Sequence, residues 1–344
     1  VAVVSVRILT GDCRDVLGTL PDGAFNACVT SPPYFGLRSY LPADHPDKAR
    51  EIGCEPTPDA YVETMVGVFR EVRRLLRDDG VAWINIGDSF AGHNVGAFRP
   101  GNEVKNGGAS NKNGVGKISG LKPKDLIGIP WMLAFALRSD GWWLRGDHVW
   151  GKPNGMPEST KDRPTRSHEY VFLLSKSERY WFDAEAVRTA PKASSVTRLA
   201  QNVEAQTGSE RANGGAKTNG PMKAVRASDK RGHTRRHAGF NDRWDAMERD
   251  EQLADGANLR SIWWVSPAQY REAHFAVMPD MVAEICIRSG CPAGGHVLDP
   301  FGGAGTTGLV ADRLGRNATL IELNPEPLAR ARIEGDAGMF AEVA

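Results

Sequence analysis

Ser31-Pro32-Pro33-Tyr34 brings together a hydroxyl, two prolines and an aromatic ring directly after the apolar run Phe25-Asn26-Ala27-Cys28-Val29-Thr30. Consecutive prolines fix φ and remove two backbone donors, so a strand must stop here and its last carbonyls must point away from the sheet ladder. Open α/β sheets place ligands at the carboxyl ends of their strands. The set suits a flat heterocycle with an amino group. Ser31 Oγ and the Pro32 carbonyl would accept from the amine, Pro33 would keep the turn rigid, and Tyr34 would offer a ring face.

A second group lies near the other end of the chain, in Asp299-Pro300-Phe301-Gly302-Gly303-Ala304-Gly305-Thr306-Thr307-Gly308. Gly303 to Gly308 fits G-x-G-x-x-G, and Glu322 ends the following strand, where an acid can bind ribose hydroxyls. A nicotinamide dehydrogenase is the obvious rival reading. The position of the turn argues against it, because little chain follows Glu322 to hold a second nucleotide. The strands needed to complete the sheet precede the turn, so the sheet would be permuted. Asp299 and Phe301 also fit a nucleoside with a positively charged sulfur better than a pyrophosphate.

The elements around these groups follow from periodicity. Strands are expected at Val3 to Leu9, at Phe25 to Thr30 and at Val81 to Gly87. Apolar residues from Asp59 to Arg77 recur at helical spacing, and Asp78-Asp79-Gly80 is expected to stop that helix. A helix over 125–139 and strands near 142–151 and 169–175 complete the first half. Pro279 opens a further helix, followed by strand His296 to Asp299, a helix from Thr306, strand Ala318 to Leu323 and a last helix. Strand–helix–strand alternation indicates a parallel sheet with crossover helices.

Residues 92–120, rich in Gly, Asn and Lys, read as a mobile loop. Between about 190 and 245 apolar residues thin out and basic residues outnumber acids. That composition fits a solvated insertion or a segment that lies on nucleic-acid phosphates. The expected organisation is a catalytic half at 1–182, a variable basic region at 183–260 and a cofactor half at 261–344. The chain has 344 residues, 41% hydrophobic and 25% charged, with net charge +1, an ordinary globular composition. Its five scattered cysteines argue against zinc, other metal sites and disulfides. No run is long enough to span a membrane and no secretory pattern opens the chain, so a cytoplasmic protein is expected.

The chain resembles the permuted beta group of DNA amino-methyltransferases, which use S-adenosylmethionine. Thr30-Ser31-Pro32-Pro33-Tyr34 matches the target-amine motif and Asp299 to Thr306 matches the cofactor motif, in the family's order. The resemblance implies a circularly permuted, Rossmann-like, mostly parallel sheet of seven strands with an inserted DNA-recognition region. It implies cofactor contacts from Asp12, Phe275, Pro279, Asp299, Phe301, Gly303, Gly305, Thr306 and Glu322. Asp12 would neighbour the adenine, and His274 to Pro279 would lie against the methionine part. Asp12 is equally readable as a helix cap. Val149 to Pro153 and His168-Glu169 resemble a segment bordering the target-base pocket. The implied partners are double-stranded DNA and a companion restriction endonuclease, with the enzyme acting as a monomer or homodimer.

The chemistry expected from the resemblance is direct in-line transfer to an exocyclic amine of a base flipped out of the helix. None of the five cysteines follows a proline, which argues against covalent attack on a ring carbon. Serine before the two prolines is typical of the family's cytosine-N4 enzymes, so cytosine is the expected base. The alternatives are adenine-N6 methylation and, further off, a dehydrogenase or a non-catalytic DNA-binding subunit.

Overall fold

The computed structural model describes residues 4–37, 39, 41, 44–45, 47–92, 120–155, 157–190, 256–267, 277–323, 327–336 and 341–343. The expected mobile loop (for residues 93–119), most of the basic region (residues 191–255) and Phe275 lie outside the described residues. By internal contacts the chain divides into one unit of residues 1–186 with 260–344 and another of residues 187–259. Within the smaller unit, Thr189 and Ala257 form an antiparallel bridge.

The larger unit is built on one sheet. Its strands are β1 (Val4–Thr10), β2 (Phe25–Thr30), β3 (Leu76–Ile86), β4 (Trp143–Gly151), β5 (His168–Ser175), β6 (Ile262–Trp264), β7 (His296–Asp299), β8 (Asn317–Glu322) and β9 (Ala341–Val343). They lie in the order β6-β4-β5-β3-β2-β7-β8-β1-β9. The seven expected strands form a continuous block, and the three-residue strands β6 and β9 extend it to nine. All neighbours are parallel except β5, which runs antiparallel to both β3 and β4. The permutation is visible at the centre: β2 pairs with β7, Ala27 facing Val297 and Cys28 facing Leu298.

The helices are α1 (Cys13–Leu17), α2 (Pro58–Leu75), α3 (Ile129–Ser139), α4 (Asp280–Gly290), α5 (Thr306–Arg313) and α6 (Pro327–Asp336). Thr57 caps α2 by accepting from Ala60 N at 3.1 Å, and Tyr61, Met65, Phe69 and Val72 form its buried stripe. These residues share a core with Ala82, Ile84 and Ile86 of β3 and with Leu133 and Leu137 of α3. Alternate β3 residues face the opposite side, where a Cβ at Gly290 of α4 would sit 2.8 Å from Val81. Full burial of each large apolar side chain contributes about 1.5–3 kcal/mol.

Two expected boundaries move for identifiable reasons. Helix α2 ends at Leu75, and Asp78-Asp79-Gly80 lies inside β3. The β2–β3 register shifts between Phe25 and Ala27, so Arg77 to Gly80 bulges before pairing resumes at Val81. Helix α3 starts at Ile129 because Gly128 adopts φ 87°. Asp88 Oδ1 accepts from Gly128 N at 3.0 Å and from Ile129 N at 3.2 Å. The acid after β3 is therefore a helix cap.

Candidate active site

The carboxyl ends of β1, β2, β7 and β8 surround a cavity of about 200 Å³. Ser31 and Pro33 reach it from β2, Asp299 to Ala304 from β7, and Glu322 from β8. The two sequence groups, at opposite ends of the chain, meet here because β2 and β7 are neighbours.

Asp299 is buried and serves both groups. Its Oδ1 accepts from Thr30 Oγ1 at 2.6 Å and from Phe301 N at 3.0 Å. Its Oδ2 accepts from Thr307 Oγ1 at 2.7 Å. Burial pushes its pKa up, and these hydrogen bonds partly oppose that rise. Asp299 is thus occupied in joining β2, β7 and α5, not held as a free counter-charge for a cationic sulfur.

The glycines of the turn have different tasks. Gly303 has φ 50°, and a Cβ there would meet nothing nearer than Phe301 O at 3.8 Å. It leaves open space and donates its N–H to Glu322 Oε2 at 2.7 Å. Gly305 has φ 78°, and its Cβ would sit 3.1 Å from Ala329. Gly305 therefore lets α6 pack closely, while Thr306 and Thr307, which begin α5, line the cavity.

Asp12 lines the cavity and also caps α1, accepting from Arg14 N at 2.9 Å. Burial would raise its pKa, but hydrogen bonds from Arg14 and the charges of Arg14 and Arg50 lower it overall. Both readings of Asp12 are therefore compatible with its position. Of the segment before α4, Val277 and Met278 form cavity wall, whereas Pro279 is the N-cap residue of α4. A further wall had no sequence signal: Leu41, Arg50, Glu51 and Ile52, from the connection between Tyr34 and α2. Glu51 is buried there on Lys48 Nζ, 2.6 Å away.

Beside the cavity, Ser31 and Tyr34 enter a polar network. Tyr34 OH donates to Glu169 Oε2 at 2.6 Å and lies 3.3 Å from Asn85 Oδ1. Ser31 Oγ donates to Asn85 Oδ1 at 3.3 Å and lies 3.4 Å from Tyr34 OH. Asn85 Nδ2 donates to Glu169 Oε2 at 3.1 Å and to the Tyr170 carbonyl at 3.2 Å. Lys152 Nζ bonds the other Glu169 oxygen and sits 4.5 Å over the Trp150 ring.

Sequence reasoning passed over Asn85 and favoured a structural role for Glu169. The available signal was a polar residue inside the apolar run Val81 to Gly87, since a buried amide needs partners. Tyr61 OH donates to the Pro33 carbonyl at 2.8 Å, whereas no described residue donates to the Pro32 carbonyl. The Tyr34 ring lies against Gly87, where an added Cβ would come within 2.6 Å of Cε2.

Comparison with known proteins agrees with this geometry. The N6/N4 DNA methylase family model matches residues 25–332, and the chain belongs to that family. It is 38% identical over 331 residues to the type II methyltransferase M.SmaI of Serratia marcescens, covering 96% of this chain and 91% of that protein. It is equally 38% identical to M.Cfr9I of Citrobacter freundii, covering 96% and 88%. In fold it resembles the PvuII DNA methyltransferase, described as cytosine-N4-specific, with TM-score 0.57 and 17% identity over 96% of this chain and 86% of that one. A DNA modification methylase of Thermus thermophilus, solved with S-adenosyl-L-methionine, gives TM-score 0.54 at 22% identity over 98% and 97%.

Proposed function

We propose that this chain is a site-specific type II DNA methyltransferase that moves a methyl group from S-adenosylmethionine to the exocyclic N4 amine of a flipped cytosine in double-stranded DNA. The observation that carries this reading is Ser31, which lines the cavity while its hydroxyl hydrogen is directed to Asn85 Oδ1. The serine's lone pairs are then left for the hydrogens of a target amine.

The cavity walls suit the cofactor. Leu41, Ile52 and Phe301 offer apolar surface, Glu322 places a carboxylate at the end of β8, and the open space at Gly303 admits close approach to the backbone. When bound there, S-adenosylmethionine supplies an electrophilic methyl group on a sulfonium. The chain's own contribution is to position the amine. Its lone pair is delocalised into the base ring, and acceptors on its hydrogens favour pyramidalisation. Ser31 Oγ and the Pro32 carbonyl are placed to accept, and Tyr34 supplies the ring on which the base stacks.

A covalent route through a cysteine is disfavoured. Cys13, the cysteine on the cavity wall, has its pKa pushed up to about 12, chiefly by burial, so it is a thiol at neutral pH. The neutral serine, in place of a carboxylate, favours cytosine.

The test is incubation with labelled S-adenosylmethionine and unmethylated duplex DNA, followed by nucleoside mass spectrometry. N4-methylcytosine is expected. N6-methyladenine would overturn the choice of base, and transfer to no base would overturn the enzymatic reading.

A further inference from the structure

The geometry points to Glu169 as a positioning residue that acts through Asn85 and Tyr34 to fix the direction of the Ser31 hydroxyl. This rests on the proposed role of Ser31 as acceptor for the target amine. A serine hydroxyl can donate or accept, and only its accepting side helps an amine. Something must therefore take its hydrogen.

Glu169 supplies that bias. As a carboxylate it only accepts, and its Oε2 faces both Tyr34 OH at 2.6 Å and Asn85 Nδ2 at 3.1 Å. The phenol hydrogen is committed to it, so Tyr34 has none for Ser31. The Asn85 amide is held in one of its two orientations by Glu169 and the Tyr170 carbonyl, both acceptors for Nδ2. Oδ1 must then face Ser31, and the serine hydrogen goes there. Lys152 Nζ on the other oxygen supplies the opposite charge that keeps the carboxylate ionised within the fold. Asn85 is only 1% exposed, so water does not substitute for its partners.

Glu169→Gln replaces the pure acceptor by an amide that can donate. Asn85 is then free to turn its Nδ2 toward Ser31 and occupy the lone pair meant for the amine. The expected result is a kcat roughly tenfold to a hundredfold lower, with the KM for DNA and the Kd for S-adenosylmethionine within about twofold. Glu169→Asp keeps the acceptor character and should restore much of the loss.

The decisive measurement is a double-mutant cycle with Ser31→Ala. Once the hydroxyl is gone its direction is irrelevant, so Glu169→Gln should cost less than about twofold in the Ser31→Ala background. Multiplying losses, or a Glu169→Gln variant that weakens cofactor binding as much as turnover, would overturn the positioning role while leaving the proposed function standing. Absence of methyl transfer by the wild-type enzyme to any base would overturn both.

Discussion

Thr30 Oγ1 donates to Asp299 Oδ1 at 2.6 Å, joining residues 269 positions apart. One precedes the serine of the target-amine turn and the other opens the cofactor turn, so the bond sets the distance between the two halves of the site. Thr30→Val removes a donor from a buried carboxylate and should cost about 1–3 kcal/mol. Urea unfolding of the variant measures it; a loss within error would mean that the bond carries no net stability.

The same carboxyl predicts a pH dependence. Burial pushes the Asp299 pKa up, and its hydrogen bonds only partly oppose this. The folded protein therefore binds this proton more tightly than the unfolded chain. The stability from protonated Asp299 is fully present below the ordinary carboxylate range and is lost as pH rises through the raised folded value. Asp299→Asn removes that titration. The wild-type minus variant stability should thus fall with rising pH across this window, as measured by denaturant titrations at several pH values. A difference that rises or stays flat contradicts the assignment.

Gly305 and Gly308 should be sensitive through packing before they are sensitive through binding. A side chain at Gly305 meets Ala329 at a left-handed φ of 78°, and a Cβ at Gly308 would come within 2.8 Å of Leu320. Gly305→Val and Gly308→Ala should each destabilise by about 1–3 kcal/mol. Thermal and urea unfolding without cofactor would detect this; variants as stable as the wild type would assign both glycines to binding alone.

Tyr34 can be divided into ring and hydroxyl. Gly87→Ala places a methyl against the ring face edge at Cε2 and should lower turnover roughly tenfold or more by displacing it. Tyr34→Phe keeps the ring and loses the bond to Glu169, so it should retain more activity than Tyr34→Ala. Single-turnover methyl transfer ranks the three. Equal activity of the Phe and Ala variants would rule out a role for stacking.

DNA affinity should depend strongly on salt if the basic residues between 183 and 260 lie on phosphates. The slope of log affinity against log salt is about −0.9 per neutralised phosphate. Replacing Arg235 and Arg236 by Ala should make it shallower by about one to two phosphates' worth. Fluorescence anisotropy with a labelled duplex at several salt concentrations reads the slope; an unchanged slope would remove these two residues from the interface.

Local patterns made most of the sheet legible in the sequence. The runs at 25–30, 81–87, 296–299 and 318–323 are apolar, short and bounded by turn residues, and each is a strand. The edge strands β6 and β9 were not foreseen, because three residues carry no period. The bulge at Asp78 to Gly80 reads locally as a helix stop, since only the pairing of Phe25 with Leu76 reveals it as strand. Ser31, Tyr34 and Glu322 were legible through chemistry concentrated in short motifs. Asn85, Glu169 and the wall at Leu41 to Ile52 were not, because their importance lies in contacts with Ser31, Tyr34 or the cavity that single segments do not contain.

The pairing of β2 with β7 also bears on synthesis. Strand β2 is flanked by β3 on one side and by β7 on the other, and it is made long before residues 296–299 leave the ribosome. Until then its inner edge has no partner, although most of its side chains are buried in the finished protein. A nascent chain of this design carries an apolar strand with one open edge through most of translation, a form prone to pairing with other chains. Holding that edge until β7 arrives is a task for chaperones.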